Sequence, residues 1–138
     1  MKISTKGIYS LLIMTHIAIE KEDKPITVSL LSEKTNISEK YLEKLVSKLL
    51  KAKLLVSFRG ANGGYKLARD AKKISVREIM SATEGNMKSV SCVDSDSNCG
   101  FSEKCLTASL WLGLNRVMNN YLENISLDDV INKRINKN

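Results

Sequence analysis

Three cysteines, Cys92, Cys99 and Cys105, lie within fourteen positions of one another. Their spacing, six residues and then five, limits the sulfur chemistry open to them. Structural zinc favours paired C-x2-C knuckles and thioredoxin-like redox sites use C-x-x-C, and neither pattern occurs. An odd number of thiols, with no secretory signature, does not make an extracellular disulfide framework. The trio is therefore a ligand set for one centre, or a group of ordinary thiols, or a redox pair. A cysteine-nucleophile enzyme finds little support, because the sole imidazole, His16, is remote in sequence and no Gly-rich phosphate cradle occurs. No catalytic residue is assigned. A zinc adaptor that does not bind DNA is the remaining non-enzymatic alternative.

A second set of residues points to polyanions. Lys40, Lys44 and Lys48 recur every four positions, which puts their ammonium groups on one face of a helix. The chain carries 22 basic and 15 acidic side chains, and the excess is confined to its front: residues 1–85 hold 16 basic and 9 acidic groups, residues 86–138 six of each. Residues 34–73 alone hold eleven basic and three acidic groups. That is the footprint of a polyanion-binding surface, the alternative being a solvated Lys-rich face.

The elements that must position these groups are mostly helical. One Pro, seven Gly and few aromatics in 138 residues argue against a sandwich or barrel and for one mainly α domain. Lys2 and Lys6 before the apolar stretch from Ile8 to Ile19 superficially mimic a signal peptide. Ser10, Thr15 and His16 interrupt that stretch and charged residues follow it, so a cytoplasmic protein is expected. No run approaches the length of a membrane span.

Ile8, Leu11, Leu12, Thr15 and Ile19, widened by Met14, Ile17 and Ala18, mark a first, mostly buried helix from Ser4 to about Glu20. Pro25 stops any continuation. Thr27 caps a short second helix to about Lys34, Asn36 supplies the turn, and Ser38 caps a third helix. The third helix sets Leu42, Leu45, Val46, Leu49 and Leu50 against a face of Glu39, Lys40, Glu43, Lys44, Ser47, Lys48 and Lys51. Two short helices about a tight turn, the second with a basic face, form the helix-turn-helix pattern. Strands over 54–58 and 64–67, joined through Arg59-Gly-Ala-Asn-Gly63, add a β-wing. Gly60, Gly63 and Gly64 permit positive φ and leave the tip slim enough for a narrow groove, with Arg59 and Asn62 as its polar reach.

Ser75-Val-Arg-Glu78 is a capping box for a helix ending at Gly85. Residues 86–104 then lack a sustained period and read as a long loop. Leu106, Leu110, Leu114, Val117 and Tyr121, flanked by Trp111, Met118 and Leu122, make a long apolar stripe to about Asn124. Ser126-Leu-Asp-Asp129 opens a last short helix. The long stripe exceeds what a small winged-helix unit needs, so it either pairs with a second copy or packs back on its own domain. The expected division is a DNA-binding unit over 1–85, a cysteine-bearing loop over 86–104, and a dimerisation helix with tail over 105–138.

Met1-Lys-Ile-Ser-Thr-Lys-Gly7, Ile37-Ser-Glu-Lys-Tyr-Leu-Glu43 and Arg59-Gly-Ala-Asn-Gly-Gly-Tyr-Lys-Leu67 together resemble the IscR/CymR/NsrR family of bacterial winged-helix regulators. The likeness spans nearly the whole chain. Cys92, Cys99 and Cys105, followed by Leu106-Thr107 and Leu110-Trp111, resemble its iron–sulfur branch, while other members share the front half and lack the trio. The resemblance implies a homodimer on a palindromic DNA operator, with recognition helices in successive major grooves and wings in the flanking minor grooves.

On that reading Lys40, Lys44 and Lys48 meet phosphates or guanine edges, Ser38 and Tyr41 bond phosphates, and Lys6 adds another phosphate contact. Arg59, with Gly60 and Asn62, enters the minor groove. Glu43 matches a family carboxylate that discriminates operators. It is useful beside DNA only if it accepts from a cytosine amino group or rejects other sequences, unless it is a surface carboxylate paired with Lys40. The resemblance also implies a [2Fe–2S] cluster on the three thiolates, controlling a repressor. Its fourth ligand stays open. The family position for a histidine is Ala108, Ile8 lacks the carboxylate other members contribute, and His16, Thr107, Ser109, Asp94, Asp96 and Glu103 are the remaining donors. The alternative is a cluster-free repressor answering to thiol oxidation or a partner protein.

Overall fold

Side chains that satisfy the free N–H groups of a helix's first turn set where these helices begin. In the computed structural model, which describes residues 3–20, 23–85, 87 and 105–135, Thr27 Oγ1 accepts from Leu30 N at 3.1 Å and Ser38 Oγ from Tyr41 N at 3.3 Å. They open α2 (Val28–Thr35) and α3 (Glu39–Lys51), which follow α1 (Thr5–Ala18). Asn36, left-handed at φ 60°, turns the chain between α2 and α3, so the helix-turn-helix is held by local chemistry. Strands β1 (Leu55–Phe58) and β2 (Gly64–Leu67) pair antiparallel, with Leu55 opposite Leu67 and Phe58 opposite Gly64. A 3-10 turn (Ala71–Lys73) leads into α4 (Val76–Glu84), then come α5 (Ala108–Glu123) and α6 (Leu127–Ile131). Ser75 with Glu78 and Ser126 with Asp129 both form complete capping boxes. The expected winged-helix architecture, mainly α with a two-stranded wing, is what the chain adopts.

The core is one cluster. Ile13, Met14 and Ile17 of α1, Leu31 of α2, Leu42, Leu45, Val46 and Leu49 of α3, Leu54, Ile74 and Ile79 are all buried in it. Leu127 of α6 joins them with no exposed surface. Its placement is fixed by backbone bonds between the chain entering α4 and the chain entering α6, Val76 N to Ile125 O at 2.9 Å and Leu127 N to Ile74 O at 2.8 Å.

Three details differ from the sequence reading. The inward face of α1 is Gly7, Ser10, Ile13, Met14 and Ile17, whereas Ile8 and Ile19 are 55% and 53% exposed. This helix is apolar nearly all round, so its periodicity carries little information about which side turns inward. The long helix α5 begins at Ala108, which leaves Leu106 outside it and 98% exposed. At the wing only Gly60 and Gly64 have positive φ. Gly63 is needed for space instead, because a Cβ there would lie 2.6 Å from Phe58 O.

Candidate nucleic-acid interface

The outer face of α3 and the start of α1 meet in an open groove of about 680 Å³, lined by Lys6, Lys40, Tyr41, Glu43, Lys44, Leu45, Ser47, Lys48 and Lys51. The geometry follows from amphipathicity. With Leu42, Leu45, Val46 and Leu49 drawn into the core, the residues between them must face out. Tyr41 is steadied by an edge-to-face contact with Tyr9, ring centroids 5.9 Å apart and planes at 81°. Six residues expected at the interface, Lys6, Lys40, Tyr41, Glu43, Lys44 and Lys48, thus share one concavity. Ser47 and Lys51 line it too and are additions, although Lys51 continues the face of Lys44 and Lys48 and was readable from spacing.

Several basic side chains outside this groove are paired, although Lys53, Lys72, Lys73, Arg116 and Lys133 make no ion pair among the described residues. Lys34 pairs with Glu20 at 3.0 Å, Lys66 with Asp23 at 2.9 Å and Arg77 with Glu123 at 3.6 Å. Arg69 is bonded to Glu78, and Arg134 to Asp128 and Asp129. Lys6, Lys40, Lys44, Lys48, Lys51 and Arg59 make no ion pair among the described residues. Glu43 is likewise exposed and makes no ion pair with Lys40 or any other described residue. Cations without internal partners are the ones able to exchange counterions for phosphates.

Ser38, Arg59, Gly60 and Asn62 stand outside the groove and exposed, Ser38 at the amino end of α3 and the others at the wing tip. The tip turn closes through Gly63 N to Gly60 O at 3.0 Å. The wing is fastened along β2, close to the tip, by the exchange of two bonds between Ile26 and Tyr65, at 3.0 and 2.8 Å. This approach requires glycine at 64, where a Cβ would lie 2.6 Å from Ile26 O.

Of the expected sulfur ligands, Cys92 and Cys99 lie outside the described residues. Cys105 precedes α5, partly exposed, with its Sγ 3.2 Å from Thr107 Oγ1. Trp111 Nε1 donates to the same hydroxyl at 3.2 Å and so orients it. Hydrogen bonds from the Thr107 side chain and backbone hold the Cys105 thiol below the ordinary cysteine value. Slight burial opposes them, and Ala108 N–H adds to the lowering. A sulfur whose anion is favoured at a helix start suits a thiolate ligand. His16 sits on α1, half-buried, with Nδ1 buried and lacking a hydrogen-bond partner among the described residues. It forms no metal-holding cluster with Cys105 there, since no group of three His, Cys, Asp or Glu residues comes together among the described residues. No described helix is long and apolar enough to cross a membrane.

Relatives share this fold. The IscR regulator of Cronobacter sakazakii is 36% identical over 134 residues, covering 97% of this chain and 82% of its own. The solved structure of CymR, the global cysteine regulator of B. subtilis, superposes with a TM-score of 0.78 at 34% identity, covering 96% of this chain and 98% of CymR. That of T. potens IscR gives 0.78 at 32%, covering 98% and 89%. These relatives are transcription regulators, a non-enzymatic role. Residues 3–133 match the model of a family described as iron-dependent transcriptional regulators, and the chain belongs to that family, Rrf2.

Proposed function

We propose that this chain is a dimeric, operator-binding repressor whose DNA affinity is controlled through Cys92, Cys99 and Cys105. The observation that carries the DNA half is the groove of unpaired cations joining Lys6 to Lys40, Lys44, Lys48 and Lys51. Lys40, Lys44 and Lys48 contact phosphates or guanine edges. Ser38 and Tyr41 bond phosphates at the amino end of α3, and Lys6 adds a contact from α1. Glu43 accepts from a cytosine amino group and so selects sequence. Arg59, with Gly60 and Asn62 keeping the tip slim, enters the minor groove, where a narrow groove concentrates negative potential. Residues 1–85 are the DNA-binding unit, 86–104 the cysteine-bearing segment, and 105–138 the dimerisation helix with its tail.

Dimerisation is supported by α5, which has no buried residue and exposes Leu110, Leu112, Val117 and Tyr121. Two α5 helices packed together would put two α3 helices on one duplex, which binds in successive major grooves when they stand about 34 Å apart. For the controlling group, the thiolate-favouring surroundings of Cys105 fit an iron–sulfur ligand, and we assign Cys92, Cys99 and Cys105 as three ligands of a [2Fe–2S] cluster, with the fourth unassigned and His16 a weak candidate for it. Such a cluster, when bound, supplies an oxidisable, oxygen-sensitive centre. The chain's own part is to tie the cysteine segment to the start of α5 when the three sulfurs are engaged, and so to bias the spacing of the α3 pair.

A second reading, thiol oxidation without iron, is favoured by the same partly exposed Cys105 with its depressed thiol. Anaerobic purification with iron, sulfide and visible-absorption analysis separates the two. The cluster reading predicts a coloured protein that loses colour in Cys92→Ala. A colourless protein after anaerobic reconstitution, with operator affinity that follows peroxide, selects the thiol reading and leaves DNA binding intact.

A further inference from the structure

The amino end of α1 carries Lys6 into the groove, yet α1 does not cap itself. Ser4, at the N-cap position, makes no side-chain bond to its own helix, and the first turn holds no acidic residue. The free N–H groups of that turn turn instead to a carboxylate 80 residues away. Glu84 Oε1, at the last residue of α4, accepts from Ser4 N at 3.0 Å and Gly7 N at 3.1 Å, and the Ser4 hydroxyl donates to the same oxygen. The approach depends on glycine at position 7, because a Cβ there would lie 2.6 Å from Glu84 Oε1 and 3.1 Å from the methyl carbon of Met80. An acceptor anion at the positive end of a helix is the favourable electrostatic arrangement, and without it the first turn is the part of α1 most prone to fray.

We propose that Glu84 is a positioning residue for DNA binding: it caps α1 from another helix and so holds the turn that presents Lys6 to the duplex. The proposal rests on the reading of Lys6 as a phosphate contact, and its test separates the two. A buried or half-buried carboxylate near a DNA face ordinarily weakens binding to a polyanion, so its removal should strengthen binding. The latch predicts the opposite sign for alanine and not for glutamine. Glu84→Gln keeps an oxygen that can accept from Ser4 and Gly7, whereas Glu84→Ala removes the acceptor. Gly7→Ala leaves the charge unchanged and displaces the carboxylate.

The experiment measures binding of the full chain to a mixed-sequence duplex as a function of salt, with circular dichroism establishing that each variant is folded at the assay temperature. Each phosphate contact contributes about 0.9 to the slope of log affinity against log salt. Lys6→Ala should lower the slope by about 0.9 per chain. Glu84→Ala and Gly7→Ala should weaken binding and lower the slope by the same amount, Glu84→Gln should bind as tightly as the wild type or tighter, and Lys6→Ala with Glu84→Ala should lose no more than Lys6→Ala alone. If Glu84→Ala melts within the assay range, Gly7→Ala and Ser4→Ala carry the test. A fall with Lys6→Ala but wild-type slopes in the folded latch variants overturns the positioning role alone. An unchanged slope in Lys6→Ala overturns the Lys6 contact and the proposal with it.

Discussion

Helices α3 and α5 are both amphipathic, of 13 and 16 residues, but α3 buries four side chains in this chain's core and α5 buries none. In α3 the apolar side is spent on folding, which leaves the polar side, with its unpaired lysines, free to meet a ligand. In α5 the apolar side is only partly used, with Val117 66% and Leu110 61% exposed while Leu114, Met118 and Leu122 are half-buried. The same sequence pattern therefore serves two ends. One helix is an element of the fold that displays its polar side, and the other leaves much of its apolar side open, with the chain after its carboxyl end bonded to the residues before α4.

The contrast is most directly broken by truncating each stripe. Leu49→Ala, at a fully buried site in α3, should cost about 2–5 kcal/mol of unfolding free energy, read by denaturant titration. Val117→Ala should change the stability of the isolated chain by no more than about 0.5 kcal/mol and act instead on self-association, read by sedimentation at several concentrations. Equal losses of stability from both would mean that α5 belongs to its own chain's core. Glu43→Ala comes next: duplexes selected from a random library should show relaxed preference at one position per half-site, worth about 1–3 kcal/mol per base pair, and unchanged selection would retire its readout role.

The smallest effect concerns Cys105. With Cys92 and Cys99 replaced by serine in metal-free protein, its alkylation should reach half its maximal rate at lower pH than a free cysteine. A depressed thiol pKa places the thiolate at lower pH, and Thr107→Ala should move the midpoint back up. A midpoint at or above that of free cysteine contradicts the bonding seen here.

What could be read in the sequence was what short-range chemistry decides. Thr27, Asn36, Ser38, the Ser75–Glu78 box and the Ser126–Asp129 box each act within three or four residues of their partners, so their spacing announces them. The lysine face of α3 was legible for the same reason. The inward side of α1 was not, because a helix apolar nearly all round offers no contrast, and neither was Leu127 in the core, because its backbone bond to Ile74 and that of Ile125 with Val76 bring it there. Glu84 reads locally as the end of a helix, and only the packing of α4 on α1 turns it into a cap for Ser4 and Gly7.

The central claim is that cysteine chemistry in the rear of the chain sets the grip of the basic groove on DNA. It is tested most directly by measuring, without oxygen, the affinity of iron-reconstituted and metal-free protein for one duplex selected by the wild type, in the wild type and in Cys92→Ala. The account predicts two distinct affinities for the wild type and a single one for Cys92→Ala. A wild-type affinity that is the same in both states, or no binding to the duplex at low salt, would contradict it.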